Sequence, residues 1–369
     1  MKRSKGRVYA YLAESVRDRR ADGSSVVRQK IIKSLGLVSG EQPNLPRNAP
    51  RAVVLFAGGS GVECGMVMAG IRPVCSVECD PGNPKLSNAL ADANELNFRR
   101  YGHKVIRSTV EELAALGLPG VPRDIDFLHA SPVCSRFSMA NHRGSEQFED
   151  LTQARAVALA IQTLKPRVFT LENVPSYRKS ESMEIIRSAL DGFGVDERVL
   201  NAKDFGVPQD RKRLILRAVR GGMLPALPKP SPVVGWYAAL KDLIPRLPES
   251  FLLDDQKRVV ADKLKQHPDV EALLVERIGW RDKPKVRLPW EPCWTIRASI
   301  TGDQRGGDRR RFIDVWFCRG EVKSLTVQGL AMLQEFPDWY RLPVEISVAG
   351  ALVGYAIPPS LIFKVYEKL

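Results

Sequence analysis

A cysteine that follows a short apolar stretch is the strongest candidate for chemistry in this 369-residue sequence. Cys134 comes shortly after the apolar stretch 125–129, and Pro132 and Arg136 lie on either side of it. A strand that ends in a turn can present a thiolate to a substrate, and a thiolate adds reversibly to an electron-poor ring carbon. Arg136 is a positive charge that would favour the thiolate. The setting predicts a nucleophile, whereas an arbitrary cysteine is more often a buried apolar residue.

A glycine-rich loop precedes this cysteine in the sequence. The loop 56–61 (Phe-Ala-Gly-Gly-Ser-Gly) follows the apolar run 52–56, which predicts a tight turn from a strand into a helix. The start of a helix favours negative charge. Glu78 ends the next apolar run about 20 residues later, where an acidic residue accepts both ribose hydroxyls of a nucleoside cofactor. A dinucleotide-binding fold or a plain structural turn remains the alternative.

Two further groups follow the cysteine. Glu172 ends the apolar run 168–171, so its carboxyl could share a proton with a ring nitrogen. Arg211 and Arg213 are two residues apart and therefore share one side of a predicted strand. One of these arginines could hold a base carbonyl while the other binds phosphate or orders the cysteine loop. The alternative for Glu172 is a glutamate that caps a helix or forms a salt bridge. The alternative for the two arginines is a run of solvated charges.

The elements that must position these groups alternate between strand and helix from residue 52 to about 220. Five apolar runs predict strands that are buried on both faces, as in a parallel sheet covered by helices. They lie at 52–56, 73–77, 125–129, 167–171 and 213–219, and helices are expected at 152–164 and 182–193.

The sequence divides into four parts. Residues 1–47 form a basic extension with two β-prone runs and a turn signal at 22–25, which predicts a β-hairpin. Residues 48–220 form the α/β part. Residues 221–323 contain five of the six tryptophans, and between 281 and 311 nine Lys or Arg residues outnumber four acidic ones, which indicates an irregular basic module. Residues 324–369 return to the α/β part.

Charge and cysteine content restrict the class of protein. The net charge of +14 favours a polyanionic partner, and residues 1–51 hold twelve Lys or Arg residues against four Asp or Glu. Six cysteines without a CxxC pair and only four histidines predict no metal site. We expect reduced cysteines and a cytoplasmic or nucleoid-associated protein, because no signal peptide is visible. The uncharged stretch 346–363 is read as a buried strand, a turn and a helix start rather than a membrane span.

Taken together, the motifs resemble those of the cytosine-5 DNA methyltransferases, over roughly residues 52–220 and 325–369. The matching segments occur in the family's order: the loop 55–61, the nucleophile segment 130–138, Glu172-Asn173-Val174, the segment 205–213, the late helical segment 325–338 and the closing segment 354–359.

This resemblance implies a class I S-adenosylmethionine methyltransferase fold, which is a Rossmann-like mixed sheet with helices on both faces, plus a small target-recognition domain at 221–323. By family logic Cys134 adds to C6 of a flipped-out cytosine, Glu172 holds N3, and S-adenosylmethionine donates the methyl group to C5. The implied catalytic residues are Cys134, Glu172, Arg211 and Arg213. The implied cofactor-binding residues are Phe56, Ala57, Gly58, Gly61, Glu78, Cys79, Pro132 and Tyr355.

Double-stranded DNA is the implied partner, and arginines of the basic module are candidates for phosphate and guanine contacts. The expected DNA-binding residues are Ser138, Gln209, Thr295, Arg297, Arg305, Arg309, Arg310 and Arg311. A monomer without a metal or a membrane, working beside a cognate restriction enzyme, is expected.

Several positions depart from the family pattern. Val133 and Ser135 replace the proline and glutamine that usually flank the nucleophile, Cys79 replaces an aromatic residue, and Tyr355 replaces an asparagine. Two alternatives therefore stay open. One is a cytosine-5 methyltransferase that acts on RNA, and the other is a nucleic-acid-binding relative without catalysis.

Overall fold

A computed structural model describes residues 2–4, 7–19, 25–37, 41–134, 136–137, 145–276, 284–298, 313–317 and 320–369, and before residue 41 it describes the backbone alone. The chain divides into two compact units, Met1–Asn44 with Pro337–Arg341 and Leu45–Phe336 with Leu342–Leu369. The first unit contains the antiparallel strands β1 (Lys2–Ser4), β2 (Arg7–Arg19) and β3 (Ser25–Leu37). The turn expected at 22–25 lies largely outside the described residues.

The second unit is built on a seven-stranded sheet in the order β6-β5-β4-β7-β8-β10-β9. Its strands are β4 (Arg51–Leu55), β5 (Arg72–Val77), β6 (Lys104–Ile106), β7 (Phe127–Ala130), β8 (Val168–Asn173), β9 (Phe193–Asn201) and β10 (Lys212–Arg220). β4 to β8 are parallel, and β9 and β10 form an antiparallel edge. The fold is a mixed α/β sheet, as the sequence predicts.

Helices cover both faces of this sheet. The first five are α1 (Gly61–Ala69), α2 (Pro84–Phe98), α3 (Val110–Ala115), α4 (Phe148–Leu164) and α5 (Glu181–Ser188). Successive residues of β4 point to opposite faces, so Val53 packs with α3, α4 and α5 while Val54 packs with α1 and the C-terminal helix. Each fully buried Val, Leu, Ile or Phe side chain stabilises the fold by about 1.5–3 kcal/mol.

The basic module contains its own small antiparallel sheet. Helices α6 (Trp236–Leu240) and α7 (Asp254–Gln266) precede strands β11 (Ala272–Glu276), β12 (Lys285–Arg287), β13 (Ile313–Phe317) and β14 (Val322–Ser324), which pair in the order β12-β11-β13-β14. Leu252, Val260 and Leu273 are among the residues of its hydrophobic core. The predicted boundary at 323/324 falls inside β14, so the division of this unit into domains stays a prediction.

The chain ends in three helices, α8 (Val327–Leu333), α9 (Ile346–Tyr355) and α10 (Pro359–Tyr366). The strand expected at the start of 346–363 is therefore wrong, because these residues form α9. The stretch Ile346–Tyr366 is apolar and long enough to span a membrane, but 72% of its most apolar window is buried inside the protein. Residues 356–358 interrupt the helix, and both halves pack as core helices.

Two other expectations differ from the structure. The run 213–219 lies in β10, which is antiparallel to β8 rather than parallel. The helix expected at 182–193 ends at Ser188, and Phe193 already begins β9. An antiparallel partner follows naturally here, because β9 and β10 are joined directly without a crossover helix.

The central sheet places the predicted catalytic and cofactor-binding residues along one edge, at the ends of its parallel strands. Strands β4, β5, β7 and β8 end near Leu55, Val77, Ala130 and Asn173, and the carboxyl ends of parallel strands lie together. The chain runs from β4 to β5 on one side and later returns to β7 on the other. Ligands of open α/β sheets bind in the crevice at such a reversal of strand order.

Candidate active site

The glycine-rich loop joins β4 to α1 and is hydrogen-bonded to the end of β5. The amide of Ala57 donates to the carbonyl of Val77 at 3.1 Å, and the amide of Gly58 donates to Oε2 of Glu78 at 2.8 Å. Phe56 and Gly58 have φ angles of 58° and 49°, in the left-handed region. The loop thus turns sharply and holds Glu78 against its own backbone.

Glu78 keeps one carboxyl oxygen nearly unused. Its Oε1 accepts only a long bond of 3.4 Å from the hydroxyl of Ser87. Burial raises the pKa of Glu78, while the hydrogen bonds from Gly58 and Ser87 lower it and the charge of Asp80 raises it. A carboxyl with one fixed and one weakly bonded oxygen is suited to accept the hydroxyls of a ribose.

The glycines of the loop have different surroundings. A Cβ atom at Gly61 would lie 2.0 Å from the carbonyl oxygen of Ile357, and one at Gly59 would lie 2.2 Å from that of Leu352. At Gly58 the nearest atom would be 3.9 Å away. Gly59 and Gly61 therefore allow the C-terminal segment to pack directly on the loop. Of the two glycines predicted to bind a cofactor, only Gly58 faces open space.

Cys134 lies in a loop after β7 that several hydrogen bonds fix. Nδ2 of the Asn173 side chain donates to the carbonyl of Pro132 at 3.0 Å, and the backbone amide of Phe137 donates to the carbonyl of Cys134 at 3.0 Å. The ring of Phe137 packs edge-on against Tyr177, with 4.9 Å between their centroids. Cys134 itself is exposed. The loop is anchored while the cysteine reaches solvent.

Glu172 and Arg213 form an ion pair beside this cysteine. Nε of Arg213 lies 2.8 Å from Oε1 of Glu172, and both side chains are largely buried. Protein atoms surround the thiol closely enough for burial to raise the pKa of Cys134, and the charge of Glu172 raises it further. Arg213 and Arg211 lower that pKa, but the net change is upward. In this structure the thiol is therefore protonated at neutral pH.

Arg136, which the sequence predicts to favour the thiolate of Cys134, pairs with two carboxylates in this structure. Its guanidinium lies 3.1 Å from a carboxyl oxygen of Glu149 and 3.2 Å from one of Asp150, both at the start of α4. The charges that lower the pKa of Cys134 most are those of Arg213 and Arg211. A sequence neighbour of the cysteine thus pairs with a helix, and residues nearly 80 positions away supply the positive charge.

Arg211 is buried and contacts backbone rather than open space. Its guanidinium donates to the carbonyls of Ile296 at 2.8 Å and Gly354 at 3.1 Å. Burial, followed by the neighbouring charge of Arg213, lowers the pKa of Arg211. The role predicted for one of the two arginines, contact with a base or a phosphate, does not fit Arg211. Its guanidinium links the basic module to the end of α9.

Gln209 has a similar linking position. Its Oε1 accepts from the amide of Ile296 at 3.1 Å, and its Nε2 donates to Oε1 of Gln334 at 2.9 Å. Gln334 in turn donates to the carbonyls of Val353 at 2.6 Å and Ala356 at 3.1 Å. Gln209 is fully buried. The DNA contact predicted for Gln209 is therefore not available in this structure.

The remaining predicted DNA-binding residues fall into two groups. Arg297 is exposed, and its Nη2 lies 3.4 Å from Oε1 of the buried Glu276. Thr295 is half-buried and donates its hydroxyl to the carbonyl of Asp210 at 2.7 Å. The other predicted contacts lie outside the described residues: Ser138, Arg305, Arg309, Arg310 and Arg311.

The remaining predicted cofactor residues surround the end of the sheet. Ala57 and Pro132 are buried, Phe56 is half-buried, and Cys79 is exposed. Tyr355 is 54% exposed.

Tyr355 interacts electrostatically with both halves of the site. Burial raises the pKa of its phenol, and the charges of Asp80, Cys134 and Glu78 raise it further. It is therefore close to the predicted ribose carboxyl and to the predicted nucleophile.

Sequence reasoning assigned no role to Asn173 and Gln334, although both belong to quoted segments. Asn173 is buried and holds the carbonyl of Pro132, and Gln334 connects three distant segments. The sequence offered a signal for Asn173 alone, which is its position directly after Glu172 at the end of a strand. Among the residues that the structure describes, no group of three or more His, Cys, Asp or Glu side chains could hold a metal ion.

The chain matches a family model described as C-5 cytosine-specific DNA methylase over residues 51–369. Its sequence is 32% identical to the type II methyltransferase M.XorII of Xanthomonas oryzae pv. oryzae, over 85% of this chain and 82% of that protein. It is 27% identical to the type II methyltransferase M.HpaII of Haemophilus parainfluenzae, over 89% of this chain and 92% of that protein.

Solved structures share the fold. A methyltransferase described as DNA-modifying and encoded within an Escherichia coli prophage aligns with a TM-score of 0.58 at 19% identity, covering 87% of this chain and 98% of the other. The Dnmt2 methyltransferase of S. pombe aligns with a TM-score of 0.51 at 15% identity, covering 86% and 97%. At these identities the similarity concerns the arrangement of strands and helices.

Proposed function

The chain belongs to the C-5 cytosine-specific DNA methylase family, and we propose that Cys134, Glu172 and Arg213 carry out its reaction, the methylation of C5 of cytosine in DNA. The single observation that carries this assignment is the ion pair of Glu172 and Arg213 beside an exposed thiol. A nucleophile, a carboxyl group for the base and a positive charge to orient that carboxyl are the groups that this reaction needs.

In the proposed reaction, the thiol of the exposed Cys134 gives its proton to solvent water, and Sγ then bonds to C6 of the cytosine. Glu172 shares a proton with N3, so the electron density displaced from C6 is stabilised and C5 becomes nucleophilic. C5 then accepts the methyl group and gives up its own proton to a base. Finally the Sγ–C6 bond breaks, the double bond between C5 and C6 returns, and the cysteine is restored.

The electrostatics of the site support a thiol that is activated by the substrate. In the absence of a base, burial and the charge of Glu172 keep the pKa of Cys134 high. When Glu172 shares a proton with N3, its negative charge no longer acts fully on the thiol, while Arg213 and Arg211 still lower the pKa. Thiolate therefore forms when a cytosine is in place, which protects the cysteine from side reactions.

S-adenosylmethionine fits the loop between β4 and α1 and supplies the methyl group when it is bound. Glu78 would accept its ribose hydroxyls through the weakly bonded Oε1, and Gly58 leaves open space beside that carboxyl. Phe56 and Cys79, which are close in sequence to Gly58 and Glu78, and Tyr355, which interacts electrostatically with Glu78 and Cys134, are the further candidates for cofactor contacts. Gly61 supports the site indirectly, by allowing the C-terminal segment to approach the loop.

We propose double-stranded DNA as the substrate form and a flipped-out cytosine as the target, because C6 cannot be reached inside a duplex. Arg297 would contact the DNA at the edge of the basic module, and Arg211 and Gln209 would hold the segment 295–297 in position. The relatives are type II methyltransferases. A cytoplasmic monomer that protects DNA from a cognate restriction enzyme is the setting that we propose.

The proposal is tested by trapping the adduct. Duplex DNA that contains 5-fluorocytosine should give a covalent complex with S-adenosylmethionine present, since fluorine cannot leave C5 as a proton does. Intact-mass measurement should show this complex for the wild type and for Cys75→Ala, at a free cysteine of β5 outside the proposed site that serves as the control, but not for Cys134→Ala. An adduct that survives in Cys134→Ala, or none in the wild type, would contradict the assignment.

Labelled methyl transfer separates the alternatives. We expect label in duplex DNA and none in tRNA. Transfer to tRNA alone would favour an RNA methyltransferase, and equal DNA binding by wild type and Cys134→Ala without any transfer would indicate a relative that has lost catalysis.

A further inference from the structure

The segment that leads into Cys134 is held by two side chains that neither the family resemblance nor the proposed mechanism uses. We propose that His129 and Gln153 are positioning residues for Cys134, and that they set the approach of its sulfur toward a bound cytosine. This inference rests on the proposed function, in which Cys134 is the nucleophile.

His129 holds the first residue of the loop through a chain of buried hydrogen bonds. Nε2 of its ring lies 2.9 Å from the hydroxyl of Ser131, three residues before the cysteine. Nδ1 lies 2.8 Å from the hydroxyl of Thr170 and 3.1 Å from that of Tyr366. These partners belong to the neighbouring strand β8 and to helix α10. The orientation of Ser131 is thus fixed against two other elements.

The ring of His129 remains neutral at physiological pH. It is buried, and burial lowers its pKa to about 3. A neutral imidazole donates from one nitrogen and accepts at the other. Each ring nitrogen therefore has one fixed role, and the bond to Ser131 does not switch with pH in the working range. A ring that is held in this way is suited to positioning and not to proton transfer in the reaction.

Gln153 holds the residue directly before the cysteine. Its Oε1, on helix α4, accepts from the amide of Val133 at 3.1 Å. This bond exists because position 133 is valine, since a proline there would have no N–H to donate. The side chain of Val133 is 47% exposed, so packing alone restrains this backbone weakly. Gln153 thus restrains the backbone at position 133, where the ring of a proline would otherwise fix the φ angle.

The three residues before Cys134 are therefore each hydrogen-bonded to a side chain from a different element. Ser131 is held from β7, Pro132 by Asn173 of β8, and Val133 by Gln153 of α4. A nucleophile that is displaced by about 1 Å from its productive position can lose about 100-fold in rate. Loss of one restraint should slow bond formation at C6 and leave the binding of DNA and cofactor nearly unchanged.

The test measures the rate of adduct formation in single-turnover reactions at saturating 5-fluorocytosine DNA and S-adenosylmethionine. We expect Gln153→Leu and Ser131→Ala to slow it by about 10- to 100-fold, with both dissociation constants within about twofold of the wild type. Gln153→Glu keeps an acceptor oxygen and should recover most of the rate. Gln162→Leu, at an exposed glutamine of the same helix, is the matched control and should react as the wild type does.

Each outcome either supports or contradicts the positioning roles proposed for His129 and Gln153. Slow variants with unchanged binding and recovery in Gln153→Glu support the inference. Rates within twofold of wild type in both Gln153→Leu and Ser131→Ala overturn it, as does an equal slowing in Gln162→Leu or a rate loss matched by weaker DNA binding. A wild type that forms no adduct would contradict the proposed function itself, whereas fast variants beside a reactive wild type contradict only the positioning roles. Ser131→Ala removes a single oxygen, so the test does not depend on replacing the buried His129.

Discussion

The Nε atom of Arg213 lies 2.8 Å from the Oε1 atom of Glu172, at the ends of two adjacent antiparallel strands. The pair gives Cys134 one neighbour that raises the pKa of its thiol and one that lowers it. This opposition can be measured separately from catalysis, because alkylation of a cysteine follows its thiolate fraction.

Glu172→Gln and Arg213→Gln should change alkylation of Cys134 in opposite directions and reduce methyl transfer in the same direction. Removing the carboxylate lowers the pKa of Cys134, so Glu172→Gln should be alkylated faster at pH 7.5. Removing the guanidinium raises that pKa, so Arg213→Gln should be alkylated more slowly. Iodoacetamide labelling read at Cys134 by peptide mass spectrometry measures both. In the wild type the rate should rise with pH through the range 7–9, because the raised pKa leaves little thiolate at neutral pH. Equal labelling of the two variants would contradict this description.

Gly61→Ala should destabilise the protein and weaken cofactor binding together. The added Cβ would lie 2.0 Å from the carbonyl of Ile357, and neither backbone can move without disturbing the glycine-rich loop. Overpacking of this kind costs about 1–3 kcal/mol of unfolding free energy. Urea unfolding and S-adenosylmethionine titration measure the two effects. Gly82→Ala is the control, since its Cβ would meet only an exposed carboxylate at 3.2 Å. If Gly61→Ala unfolds and binds cofactor as Gly82→Ala does, the packing argument fails.

The central sheet was predictable because its strands are buried on both faces, and continuous apolar runs such as 52–56 are a direct signal of that burial. β9 was not predictable in the same way. It is an edge strand, and its continuous block of charged residues at 196–198 resembles a loop. α9 was misread as a strand because nearly all of its sides are buried, so no polar stripe marks a helical period.

The site shows a similar division. Cys134, Glu78 and Glu172 could be predicted because each lies at the end of a strand or shortly after it, and strand ends of a parallel sheet meet at one edge. The roles of Arg211 and Gln209 could not, because their partners, which are mostly backbone atoms, lie as far as 143 positions away in sequence. Nor could the pairing of Arg136 with the start of α4 be predicted, since it depends on where that helix begins.

The two buried histidines should make the fold less stable in mild acid. Burial lowers the pKa of His103 and of His129 to about 3, whereas an unfolded chain titrates near 6.5. Below about pH 6.5 the unfolded state therefore binds protons that the folded state does not, and the unfolding free energy falls by about 1.4 kcal/mol per pH unit for each histidine. Urea unfolding between pH 6 and 5 should show a loss of unfolding free energy that is smaller by about 1.4 kcal/mol per pH unit in His129→Gln than in the wild type. The same slope in both proteins would show that His129 does not contribute.

Basic residues of the N-terminal strands should contribute to DNA binding through phosphate contacts. Residues 1–51 carry an excess of eight positive charges. If Arg28, Lys30 and Lys33 each neutralise a phosphate, the triple substitution to Gln should lower the slope of log K against log salt by about 0.9 per contact, or about 2.7 in all. Fluorescence anisotropy at several salt concentrations measures the slope. Lys165→Gln, at an exposed residue that follows α4, should leave it unchanged. An unaltered slope in the triple variant would mean that these residues do not meet the backbone of DNA.

Tyr355→Ala should weaken the binding of S-adenosylmethionine while leaving the fold intact. The side chain is 54% exposed, so its removal costs little packing. It nevertheless lies close enough to Asp80, Glu78 and Cys134, which belong to both parts of the proposed site, for each of them to raise the pKa of its phenol. Loss of an aromatic contact to a ligand is worth about 1–3 kcal/mol, so we expect the dissociation constant to rise about 10-fold, measured by calorimetry beside a melting temperature that barely changes. Tyr355→Phe separates the ring from its hydroxyl. If the phenylalanine variant binds as the wild type does, the ring carries the contact. Wild-type affinity in Tyr355→Ala would remove this residue from the cofactor site.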